Sequence, residues 1–135
     1  MKRTFFSLAL LLAVATLTAQ TKMTAREAAV KIADRILAST TYEFKNTKTG
    51  EIYKSVKKLP LDMDVKVACK YNNWHYTNGV TNMALMELGD KLGDKKYEKY
   101  VLKNMNFVFN EGNLDFFRKQ YDEAFKRDGW NAVRK

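Results

Sequence analysis

The sequence predicts an all-α fold, an array of helical hairpins with a β-hairpin excursion near 42–53. Three observations carry that prediction. Thr24-Ala25-Arg26-Glu27 has the spacing of a capping box. Apolar side chains recur at helical intervals in four runs. Gly93, Gly112 and Gly129 punctuate the last three runs, where a glycine in a left-handed turn ends a helix.

Residues 1–19 read as an export signal that stands outside the fold. Lys2 and Arg3 give a basic start, and 5–17 is apolar apart from Ser7 and Thr16. That run is shorter than the ~20 apolar residues of a spanning helix, and no charged stop follows it. A signal peptide cleaved after Ala19 is expected, making the protein periplasmic or extracellular. Cleavage leaves 116 of the 135 residues, room for one modest domain. It also lowers the formal charge from +9 to +7, because Lys2 and Arg3 leave with the signal.

In the capping box, the Thr24 hydroxyl and the Glu27 carboxylate each satisfy an orphan amide, so a helix starts there. Ala29, Ile32, Ala33, Ile36 and Leu37 define its buried stripe, which ends near Ser39-Thr40-Thr41. Next, the β-prone Tyr42, Phe44, Ile52 and Tyr53 flank Asn46-Thr47-Lys48-Thr49-Gly50, the pattern of a hairpin. From 54 to 73 the period is lost around the only proline, Pro60, and an extended surface loop is expected. Asp62-Met63-Asp64 within it lacks the rest of a calcium loop and reads as a solvated turn.

Val80, Met83, Ala84, Leu85 and Leu88 form the apolar face of the next helix, which Gly93 stops. Asp94 caps a third helix with the stripe Tyr97, Tyr100, Val101, Met105 and Val108, and Gly112 lies just past its end. Asn113 caps a fourth, with Leu114, Phe117, Tyr121, Ala124 and Phe125 on one face and Gly129 after it. Short connections make consecutive helices antiparallel. Three aromatic faces call for further helices to cover them, and 130–135 reads as another element beginning. Residues 20–135 are therefore expected to be the N-terminal part of a larger helical domain.

The positive charge admits nucleic acid, an anionic membrane surface or an acidic polysaccharide as partner. Export argues for the polysaccharide, against nucleic acid and membrane. The Lys and Arg residues are scattered instead of forming one block, as on a solvated basic surface. Cys69 is the only cysteine and His75 the only histidine, which removes an internal disulfide and a Cys/His zinc site. Cys69 reads as a buried, unreactive thiol. His75 has no nucleophile elbow to serve, and there is no glycine-rich phosphate loop. Most glycosidic hydrolysis uses two carboxylates placed across a sugar. Asp62, Asp64, Glu87, Asp90, Asp94, Asp115, Asp122 and Glu123 all sit outside any motif that would force them into a cleft.

What remains is Trp74-His75-Tyr76-Thr77-Asn78-Gly79-Val80, which gathers two aromatic rings and the single histidine just before an apolar helical run. A planar ring offers its face to the C–H side of a sugar, while imidazole and phenol can bond to hydroxyl or carboxylate groups. The spacing by itself favours Trp74 and Tyr76 covering a helix end, with His75 a satisfied hydrogen-bonding residue.

Trp74-His75-Tyr76-x-x-Gly79-Val80 followed by the apolar helix, Gly93-Asp94-Lys95-Lys96-Tyr97 and Asn110-Glu111-Gly112-Asn113-Leu114 together resemble the N-terminal part of the unsaturated rhamnogalacturonyl hydrolases. These are glycoside hydrolases related to the unsaturated glucuronyl hydrolases. The likeness runs from the first helix to about Arg127. It implies the opening helices of an α/α barrel, a toroid of six helical hairpins. It also implies removal of 4,5-unsaturated uronic acid from the non-reducing end of pectin or rhamnogalacturonan fragments. In the implied mechanism an aspartic acid protonates the C4=C5 double bond and helps water add at C5. The resulting hemiketal opens and releases the aglycone, with no metal or organic cofactor.

The family's key aspartates lie on later helices, expected beyond Lys135, so no catalytic residue is carried onto this chain. Tyr76 matches the aromatic position lining the family's substrate pocket; Trp74 and His75 are carried as neighbours that shape it. The long 42–73 segment departs from the shorter family members. A different class competes: a small secreted helical module that binds acidic glycans through its charge without catalysis.

Overall fold

A computed structural model describes residues 23–132. The expected signal at 1–19 and its cleavage point lie outside those residues, as do 133–135. The chain divides into two compact units, Met1–Lys31 and Ile32–Lys135. In the first, the described residues open helix α1 (Ala25–Ser39) with the reciprocal bonds of the capping box. The Thr24 amide donates to the Glu27 carboxylate at 2.8 Å, and the Glu27 amide donates to the Thr24 hydroxyl at 3.2 Å.

The second unit is mostly helical, with one small sheet. After α1 come strands β1 (Phe44–Asn46), β2 (Ile52–Tyr53) and β3 (Val65–Val67), then helices α2 (Tyr76–Leu92), α3 (Lys95–Val108) and α4 (Glu111–Asp128), and a 3-10 turn at Gly129–Ala132. The expected hairpin is present: β1 and β2 are antiparallel, with Phe44 opposite Tyr53. Asn46 closes its turn, its side-chain oxygen accepting from the amides of Lys48 and Thr49, and Gly50 takes the positive φ of 79°.

The helical expectation holds for most of the described residues, and the reading of one loop needs correction. The stretch 54–73 is not a featureless loop, because Val65-Lys66-Val67 adds a third strand antiparallel to β1, giving the order β2-β1-β3. Three residues hold one alternation, too little for a period-2 signal. Burial drives the pairing: Val65 and Phe44 are essentially inaccessible and share a core with Val56, Phe116 and Phe117.

The helices form where expected, but three faces differ. On α1 the buried residue is Ala33, flanked by half-buried Ile36 and Leu37, while Ala29 and Ile32 are exposed; Ile32 lies ~100° round the helix from Ala33. On α2 the buried positions are Asn78, Asn82, Leu85 and Gly89, whereas Val80, Met83 and Ala84 face outward. On α4 the buried set is Phe116, Phe117, Gln120 and Ala124, leaving Leu114, Tyr121 and Phe125 on the exposed side. Asn78 and Gln120 hold buried positions because their amides bond to main-chain carbonyls, and Asn82 because its side-chain oxygen accepts from Asn104, uses that hydrophobic periodicity does not register.

Caps follow a similar pattern. Asp94 caps α3 as expected, accepting from the Lys96 amide at 3.0 Å. Helix α4 starts three residues earlier than Asn113 implies: Asn110 is the cap, accepting from the amides of Gly112 and Asn113. Gly112 therefore lies inside α4. The α2–α3 connection is tight because Gly93 adopts φ 67° and Gly89 lets the turn close over it. A second core joins Ala33, Leu85, Tyr97, Tyr100 and Val101. Each large buried side chain contributes about 1.5–3 kcal/mol, against about 0–1 kcal/mol for each solvent-exposed ion pair on the helices. Packing of the two cores, not surface charge, holds the unit together.

Candidate functional site

Trp74, His75 and Tyr76 stand together at the N-terminus of α2, and each is fixed in a different way. The Trp74 indole N–H donates to the Val108 carbonyl at 3.1 Å, and its ring meets Phe117 edge-on with centroids 5.1 Å apart. His75 is the N-cap of α2: its Nδ1 accepts from the Thr77 amide at 3.4 Å and lies 2.8 Å from the Thr77 hydroxyl. An Nδ1 that accepts from the Thr77 amide leaves the ring's hydrogen on Nε2. The Tyr76 ring lies over His75 at 5.1 Å with planes 31° apart; it is 79% exposed, and its phenol makes no hydrogen bond within the described residues.

The segment leading into these rings is held by buried asparagines. Asn78 donates to the carbonyls of Lys70 and Asn73 and to the Asn73 side chain. Asn72 donates to the Thr41 carbonyl, and Asn104 to the Tyr71 carbonyl and the Asn82 side chain. Cys69 is buried as expected, its sulfur accepting from the Tyr71 amide. The 70–73 segment is thereby tied to α1's end, α2 and α3 before it delivers Trp74.

The rings form a ridge between two troughs. One, of ≈ 380 Å³, runs past Tyr76, Gly79, Asn82, Met105 and Phe109. The other, of ≈ 360 Å³, runs past Lys66, Phe117, Gln120 and Tyr121. Asn73, Trp74 and His75 wall both, and both volumes fall within the ~300–1,000 Å³ of small-molecule sites. No carboxylate lines either trough. The carboxylates named from the sequence are engaged elsewhere or solvated. Asp64 pairs with Lys48, which holds its carboxyl below the usual range; Asp115 is held low by Lys119 and Arg118. Asp62 closes a turn, accepting from the Asp64 amide at 3.0 Å.

Chemically, the arrangement offers ring faces, an imidazole N–H, a phenol and amides, which suits binding and orienting a polar ring but not proton donation by an acid. Among the described residues there is no group of three or more His, Cys, Asp or Glu that could hold a metal ion. No described helix is long and apolar enough to cross a membrane. Lys66, Asn73, Gln120 and Tyr121 were not legible as site residues; Lys66 had the one available signal, a charge alternating with two valines. No family model, curated protein or solved structure matches the chain.

Proposed function

We propose that this chain forms the sugar-binding wall of an exported hydrolase that removes 4,5-unsaturated uronic acid from pectin or rhamnogalacturonan fragments. One observation carries the reading. Tyr76 presents a ring 79% exposed, braced by the helix-capping His75, at the rim of an unobstructed trough. An exposed, pre-oriented aromatic ring beside hydrogen-bond donors is what recognises a sugar ring.

The residues divide the work by chemistry. Tyr76 and Trp74 stack on C–H faces, and the His75 Nε2–H donates to a hydroxyl or carboxylate oxygen. The positive end of the α2 dipole favours the uronate's negative charge. The reacting acid is assigned to no described residue, since the troughs hold none. In this reading the chain supplies the opening helices of the six-hairpin α/α barrel, and the outward Val80 and Met83 of α2 face neighbouring helices of that ring. Substrate binding needs no metal or organic cofactor.

The test follows loss of the double bond's ultraviolet absorbance on an unsaturated rhamnogalacturonan disaccharide. The chain alone is expected to bind the sugar and leave the absorbance unchanged, while the parent enzyme removes it. Turnover by the chain alone would relocate the acid into these residues. The absence of a carboxylate in the troughs also favours a second reading, a non-catalytic secreted module for acidic glycans. That reading predicts binding of saturated and unsaturated uronides with equal affinity.

A further inference from the structure

The outward face of the small sheet sets two lysines against each other. In the antiparallel register of β1 and β3, Lys45 stands directly opposite Lys66, and its partner on the other side, in β2, is Ile52. All three are exposed, while Phe44 and Val65 carry the alternate positions into the core. Side chains paired in this way leave the sheet about 5 Å apart, and like charges at that spacing weaken the strand pairing.

Nothing among the described residues relieves the repulsion. Neither lysine lies within ion-pair distance of a carboxylate. Of the acids two residues along each chain segment, Asp64 is bonded to Lys48, with Lys66 a minor influence on it, and Glu43 forms no ion pair. A sequence that breaks a local rule without an internal compensation does so mainly where function needs it. Two ammonium groups held side by side call for an anion bridged between them.

The neighbours narrow the class of that anion. The row of Ile52, Lys45 and Lys66 contains no arginine, the residue whose planar fork matches phosphate. Its aliphatic member, half-exposed Ile52, gives a nucleobase no ring to stack on but gives sugar C–H groups an apolar patch. We infer that the outward sheet face, through Lys45 and Lys66, binds carboxylates of an acidic polysaccharide of the galacturonan kind. The site needs no unsaturated end and nothing of the Tyr76 ridge. It gives the long segment between α1 and α2 a part in holding polymer.

The probes are saturated trigalacturonate, its fully methyl-esterified form and an oligothymidylate of equal charge, each titrated into the 135-residue chain at low salt and followed by nuclear magnetic resonance. Wild type is expected to bind the acid more tightly than the oligothymidylate and to ignore the ester. Lys45→Gln and Lys66→Gln should each weaken binding of the acid about three- to fivefold, the scale of an exposed charge pair. Each should also raise the thermal midpoint by about 1–5 °C, because the like-charge pair is gone. Lys99→Gln on α3, the same loss of charge elsewhere, should do neither, and Tyr76→Ala should bind the acid as wild type does. Wild-type affinity in both sheet variants, a midpoint that does not rise, or equal binding of the oligothymidylate would overturn the sheet-face site. The Tyr76 reading would stand through any of these, since the unsaturated disaccharide tests it separately.

Discussion

The indole nitrogen of Trp74 donates to the carbonyl of Val108 across 3.1 Å, joining the start of α2 to the last turn of α3. That bond sets the ridge between the troughs, because a carbonyl at a helix end has no intrahelical partner and accepts from the first donor in reach. Trp74→Phe keeps the ring against Phe117 but removes the donor. Urea unfolding should show a loss of about 0.5–1.5 kcal/mol, together with weaker sugar binding as the ridge loosens.

Asn78 tests the scaffold behind the ridge. Its amide serves three acceptors on Lys70 and Asn73, so Asn78→Ala leaves partly buried acceptors without that donor. A destabilisation of about 1–3 kcal/mol is expected in denaturant titrations. Asn78→Asp, which cannot donate, should be no better than alanine.

Two glycines of α2 should respond in opposite directions. At Gly89 an added Cβ would stand 3.1 Å from the Asp94 carbonyl and 3.3 Å from the Cβ of the fully buried Tyr97. Neither can yield, since one is backbone in a tight turn and the other core. Overpacking costs about 1–3 kcal/mol against a helix-propensity gain of at most about 1 kcal/mol, so Gly89→Ala should lower the thermal midpoint. At Gly79 nothing lies within 4 Å, and Gly79→Ala should raise it.

These residues also show what the sequence makes legible. The capping box at Thr24, the cap at Asp94, the terminating Gly93 and the 42–53 hairpin all follow from local chemistry, which acts within a few residues and leaves a fixed spacing. The buried faces of α2 and α4 do not. There the core-facing positions include Asn78, Asn82 and Gln120, polar groups buried because carbonyl or side-chain partners await them, and no local rule anticipates a partner 55 residues away such as Val65 for Gln120. The ridge itself was legible as a motif. The second trough was not, because Lys66 and Tyr121 come together only when β3 joins the sheet and α4 turns its face by one position.

Alkaline pH tests the tyrosine environment. Burial, with Tyr100 and Cys69 nearby, pushes the Tyr42 phenol up to about 12 from its ordinary 10.0. A raised folded-state value means the native state holds the neutral phenol more tightly than the unfolded chain does. This contribution is complete below pH 10 and is lost as pH rises through about 12. Ultraviolet titration of the native chain should show a tyrosine class ionising late, and Tyr42→Phe should remove its most resistant member.

The most direct test of the ridge as a sugar site is a nuclear magnetic resonance titration of the chain with unsaturated galacturonyl-rhamnose at moderate salt. The account predicts saturable shifts of the Trp74 indole N–H and of the Tyr76 and Gly79 amides, abolished in Tyr76→Ala. Shifts confined to lysine-rich surface elsewhere and erased by added salt, with Trp74 and Tyr76 unmoved, would contradict it.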